Sequence, residues 1–178
     1  MLLGATYPSS FQAVVANVPS SIVWPGLSDD SPAPAWTLGG KPVPAMQARF
    51  GTADLALSGR DRFLKRMQDR DAVRRAEIPV ERIQAPLLMF SGKDDQLWPS
   101  DVFAARVVER LKEHKFAQPV EHYAYEHAGH LIARPYVPTS DVREVRIHPV
   151  TKRPNMTGGT PEGQALSLIH ISEPTRPY

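Results

Sequence analysis

The stretch PLLMFSG at residues 86–92, followed by SDVFAARVVERLKEH at 100–114 and VEHYAY at 120–125, decides the fold. The first is a short unbroken apolar run closed by serine and glycine, the pattern of a strand buried on both faces. The second places Phe103, Val107, Val108 and Leu111 on one side of a helix, with Pro99 before it and Ser100 placed as N-cap. The third, after Gln118 and Pro119, alternates weakly and reads as another strand. A strand, a helix and a strand joined by so long a connection form a right-handed crossover, so the strands are parallel. Upstream, FQAVVANV at 11–18, closed by Pro19, reads as a further buried strand. The expected class is α/β, with about three parallel strands and flanking helices.

Composition narrows the functions. The 178 residues are 42% hydrophobic and 22% charged, enough for one domain with a core. No apolar run approaches the ~20 residues a bilayer-spanning helix needs, and no leader pattern opens the chain. With 21 basic and 19 acidic residues the net charge is +2, and no basic stripe suggests nucleic acid. Neither a membrane nor a nucleic acid is expected as partner. The absence of cysteine removes disulfides, thiolate metal sites and a cysteine nucleophile from this chain, and it suits a reducing cytoplasm, the expected location.

The 18 prolines cluster. Residues 20–59 carry five of them with several glycines and no sustained helical period, which reads as a lid-like insertion or binding loop. Trp24 and Trp36 within it favour an ordered segment and are candidates for a substrate-pocket wall. DRFLKRMQDRDAVRRA at 61–76 reads as one helix, ended by Ile78 and Pro79. Its charges suit either a phosphate-binding face or a solvated surface of interleaved signs, and the interleaving favours the second. Residues 132–160 look irregular. MLLGA at the start reads as the last turn of an apolar helix stopped by Tyr7 and Pro8, so the chain is expected to open inside a helix, as a fragment would.

In open α/β sheets, sites lie beyond the carboxyl ends of strands. Here those ends are Gly92-Lys93-Asp94-Asp95 and Glu126-His127-Ala128-Gly129-His130. An acid on one loop and a histidine on the next suit a pair in which the carboxylate orients the imidazole and the imidazole moves a proton. Asp94 and Asp95 compete as the acid, and His127 and His130 as the base. A metal site from His122, His127 and His130 lacks an acidic partner pattern.

Three segments together carry a family resemblance: IPVERIQAPLLMFSGKDDQLWPS at 78–100, YEHAGHLI at 125–132 and GGTPEGQA at 158–165. The chain resembles the C-terminal catalytic domain of acyl-CoA thioester hydrolases and bile acid-CoA:amino acid N-acyltransferases, α/β-hydrolases near dienelactone hydrolase. The resemblance implies the C-terminal part of an α/β-hydrolase fold, acting by serine-type acyl transfer on a small-molecule acyl thioester or ester, with no cofactor. It assigns Asp95, three residues after Gly92, as triad acid and His130, in the A-G-H motif, as base. Asp94 then binds backbone donors in the turn, and His127 meets solvent or packs. Trp98, beside the acid loop, joins the pocket candidates, with packing as its other reading.

The family's nucleophile sits in a G-x-S-x-G elbow, and that motif is absent from this sequence. Ser9, Ser10, Ser20 and Ser21 stand where serine commonly caps or turns the chain. The nucleophile and oxyanion donors are therefore expected upstream of Met1, leaving the chain itself inactive. A dienelactone hydrolase-like esterase or peptidase is one alternative, and a non-catalytic binding or interaction module is another.

LSLIHISEPTRPY at 166–178 resembles the translation of a transposase adapter used for sequencing libraries. The partial domain is accordingly expected to span 1–165, without its final helix, and His170 receives no functional weight. A short buried strand over 166–171 is the other reading.

Overall fold

The structure, a computed structural model, describes residues 1–26, 33–46, 54, 56–132, 146–147 and 154–172. In chain order its elements are α1 (Leu2–Thr6), β1 (Val14–Asn17), β2 (Thr37–Leu38), β3 (Lys41–Pro42), α2 (Gly59–Arg66) and α3 (Arg70–Ala76). There follow β4 (Leu87–Gly92), α4 (Ser100–Glu113), β5 (Val120–Tyr125), β6 (Arg146–Ile147), β7 (Pro154–Asn155) and α5 (Pro161–Ser172). Single 3₁₀ turns lie at Pro8–Ser10 and Val80–Arg82.

β1, β4 and β5 form a parallel sheet with β4 in the middle, Leu87 facing Val14 on one side and Val120 on the other. β4 is apolar at consecutive positions because it packs on both faces: five of its six residues are buried and Leu88 is half-buried. On one face Leu87 and Met89 pack with Ala104, Val107 and Leu111 of α4 and with Ala5 of α1. On the other, Phe90 stacks against Tyr123 and Tyr125 in a smaller cluster with Ala128 and Ile132. That second face is partly open, with Val15 59% and Tyr123 39% exposed. A third cluster gathers Ile22, Met46, Val73 and Phe103 under Trp24, Phe63 and Trp98, and so packs Ile22, Trp24 and Met46 of the insertion against α2, α3 and α4.

Several elements depart from the sequence reading. The helix expected over 61–76 is two helices, because the Asp69 carboxylate accepts the Ala72 N–H at 2.9 Å and starts α3 afresh. Ser100 does not cap α4; it is the helix's first residue, buried, with its hydroxyl toward the Gly92 carbonyl at 3.5 Å. The insertion contains a two-residue hairpin, β2 and β3, turned by Gly39 and Gly40 at φ of +56° and +75°. Residues 27–32, 47–53 and 55 of it lie outside the described residues. Within 132–160, β6 pairs with β7, and 161–172 is helical, where the sequence reading expected the final helix to be missing or a short strand over 166–171. Ser167 of that helix is buried, donating to the Gln164 carbonyl at 2.7 Å and the Ile132 carbonyl at 3.3 Å.

Candidate active site

Each side chain of the site is placed by a strand end and the turn that follows it. β4 ends at Gly92, where a Cβ would overlap the carbonyl of Ala128, so only glycine lets the two strand-end loops meet. The chain then turns so that Asp95 is fully buried. Asp95 Oδ1 accepts the backbone N–H groups of Leu97 and Trp98, each at 3.1 Å. Oδ2 stands 3.0 Å from Nδ1 of His130, whose side chain is 19% exposed. A carboxylate oxygen can only accept here, so Nδ1 carries the proton and Nε2 is left as the basic nitrogen. The indole of Trp98 lies edge-on to the imidazole, with ring centroids 5.5 Å apart.

Asp94 and Asp95 diverge at the turn. Asp94 accepts from Gln96 Nε2 at 2.7 Å and from the Gly159 N–H at 2.8 Å. His127 is exposed, sits at a φ of +55°, and offers its carbonyl to the Thr160 N–H at 2.8 Å. His122 faces α4 from β5, with Nε2 2.8 Å from the buried hydroxyl of Ser91. Burial pushes the His122 imidazole below its ordinary range, against the opposing pull of Asp101. The three histidines therefore have separate surroundings, and no metal-binding cluster occurs among the described residues.

Of the tryptophans, Trp24 and Trp98 join one aromatic chain. Trp24 meets Phe63 at 4.7 Å, Phe63 meets Trp98 at 6.0 Å, and Trp98 leads to His130. Trp36 stands apart from it, 46% exposed beside β2.

Sequence reading missed Arg60 and Thr157. Arg60 binds Asp101 through both guanidinium nitrogens, at 2.7 and 3.1 Å, and donates to the Asp95 carbonyl at 3.4 Å, which docks α2 on the acid loop. The bond to Asp101 raises the Arg60 pKa above its ordinary value. Thr157 is buried and its carbonyl accepts the His130 N–H at 2.8 Å. Neither contact has a local sequence signal. Among the cations of 61–76, Lys65 and Arg66 both meet Asp54, at 2.7 and 3.2 Å, and Arg74 pairs with Asp71.

A paired acid and histidine at the ends of adjacent parallel strands is an arrangement suited to acyl transfer. Comparison with known proteins agrees with it. The family profile described as BAAT / acyl-CoA thioester hydrolase C terminal matches residues 3–172. The chain belongs to this family. Among relatives, acyl-coenzyme A thioesterase 6 of Mus musculus is 38% identical over 92 residues, 52% of this chain and 21% of its own length. Human acyl-coenzyme A thioesterase 2, mitochondrial, is 32% identical over 92 residues, 52% of this chain and 18% of its own. Acyl-coenzyme A amino acid N-acyltransferase 2 of Rattus norvegicus is 33% identical over 93 residues, 52% of this chain and 21% of its own. The matched part of this BAAT-type chain thus spans about a fifth of those relatives. No described helix is long and apolar enough to cross a membrane.

Proposed function

We propose that this chain supplies the acid and base of a nucleophilic acyl transfer on acyl-CoA thioesters, Asp95 orienting His130 and His130 moving the proton. The 3.0 Å contact between a buried Asp95 oxygen and His130 Nδ1 carries this reading. The nucleophile, a serine or cysteine, attacks the thioester carbonyl carbon while Nε2 takes its proton. Nε2 then returns that proton to the departing CoA sulfur, and water, activated by the same nitrogen, hydrolyses the acyl-enzyme. The nucleophile and oxyanion donors lie outside this chain in the proposal, since the sequence has neither a G-x-S-x-G elbow nor a cysteine.

Trp24 and Trp98, with Phe63 between them, form the acyl-pocket wall in this reading. Trp36 belongs to it only through the hairpin's position. Likeness to an N-acyltransferase supports a second acceptor, an amino acid amine in place of water. The cytoplasmic location and the adapter origin of residues 166–178 are further proposals. Sequencing the genomic locus without library adapters tests the latter, with divergence after Ala165 as the expected result.

The test of function is turnover of acyl-CoA by the chain as it stands and by a version extended upstream. The extended protein should hydrolyse the thioester, and Asp95→Asn should lower its kcat about 10⁴-fold. The chain alone should show background turnover only; a robust rate abolished by His130→Ala would overturn the assignment of the nucleophile.

A further inference from the structure

Three stretches far apart in sequence meet at backbone distance around the Asp95–His130 pair: residues 92–96 after β4, 127–130 after β5, and 157–160 before α5. The acid and base loops are joined directly by the Asp94 N–H, which donates to the Ala128 carbonyl at 3.0 Å. The third stretch binds both. Its Thr157 carbonyl accepts the N–H of His130 at 2.8 Å and that of Gln96 at 3.4 Å, and its Thr160 N–H donates to the His127 carbonyl at 2.8 Å. Its Gly159 N–H donates to Asp94 Oδ2 at 2.8 Å.

Glycine makes this approach possible. Gly158 and Gly159 hold φ of +73° and +87°. A Cβ on Gly158 would overlap the Asp94 carbonyl, and one on Gly159 would overlap the Gly129 nitrogen. A Cβ on Gly129 would in turn overlap the Gly158 carbonyl. The three segments are therefore seated against one another with no side-chain layer between them, so a shift in one is passed to the others.

We propose that residues 157–160 act as a latch that sets the spacing of the acid and base loops, and that Asp94 is a positioning residue for the Asp95–His130 pair. This rests on the reading of that pair as catalytic. Asp94 is the side-chain half of the latch: its Oδ2 joins the acid loop to Gly159 and its Oδ1 accepts from Gln96 within that loop, while the remaining bonds run between backbone groups. Its removal opens the latch and adds no steric clash. The geometry at Asp94 matters more than its charge: an amide oxygen at the same place also accepts the Gly159 N–H, though more weakly than a carboxylate, and the Gln96 amide can rotate to face an amide nitrogen.

The test uses the full chain. Amide hydrogen exchange is followed at Gly159 and His130, and the imidazole Nδ1–H resonance of His130 is observed by ¹⁵N-resolved NMR. Loss of a hydrogen bond to a charged group predicts that Asp94→Ala speeds exchange at both amides about tenfold or more and weakens the Nδ1–H resonance, with circular dichroism unchanged. Asp94→Asn, which keeps the acceptor without its charge, should recover most of the protection in both readouts, which a general loss of stability would not do. Asp94→Ser, polar and suited to a turn but too short to span the gap, replaces the alanine variant if the latter folds poorly. Faster exchange at Gly159 with the His130 amide and imidazole unaltered would overturn the latch. Asp95→Asn serves as the control: an Nδ1–H resonance that survives it removes the pair itself, and with it the catalytic reading, whatever Asp94 does.

Discussion

His122 and Ser91 form a buried polar contact on the α4 side of the sheet, and its cost is readable through pH. Burial holds the folded imidazole below its unfolded value of 6.5. The unfolded chain then binds more protons in that interval, so the stabilising contribution is complete above about pH 6.5 and is lost as pH falls toward the folded value. Unfolding followed from pH 7.5 to 5 should show the midpoint falling. His122→Gln, which keeps a polar partner for Ser91, should flatten that slope. Gly158→Ala should destabilise by about 2 kcal/mol or more, since it combines a left-handed backbone with an overlap on the Asp94 carbonyl. Chemical denaturation checks it. At this scale G-x-x-D and A-G-H put an acid and a histidine on adjoining strand ends, and Asp95 and His130 stand 3.0 Å apart there. The sequence separates Asp94 from Asp95 only by family likeness, because consecutive turn residues point to different sides and the partner that draws Asp94 away lies 65 residues downstream.

The elements were legible wherever a hydrophobic period was strong. α4 follows its single apolar face, and β4 follows its unbroken run. Phe103 of α4, fully buried in the aromatic cluster, should cost about 3–5 kcal/mol on truncation to alanine. The break between α2 and α3 escaped the reading because the charged surface continues across it and only one carboxylate marks the restart. Asp69→Ala should therefore lower stability by about 1 kcal/mol and reduce helicity by circular dichroism. α4 is also held by charge. Arg106 and Arg110 bind Glu77 at 2.8 and 2.9 Å, and Arg110 binds Glu81 at 2.6 Å, which holds the Glu81 carboxyl below its ordinary range. The final helix was invisible for a different reason: its sequence has no single apolar stripe, so periodicity gives it no signature.

At the level of the whole molecule, β4 is shielded while, among the described residues, β1 and β5 form the two edges of a sheet whose second face shows Val15 and Tyr123 to solvent. Exposed apolar surface beside an unpaired strand favours self-association. Val15→Lys should raise the soluble fraction on expression and leave the far-ultraviolet spectrum as it was; an unchanged soluble fraction would assign aggregation elsewhere. The latch has a consequence in time as well. Asp94 and Gly159 are 65 residues apart, so at about 5–20 residues per second a ribosome finishes the acid loop roughly 3–13 s before it makes the glycine that secures it. In the latch reading, the acid and base loops are both synthesised before their fastener, and the imidazole acquires its fixed bearing after residues 157–160 fold back over them.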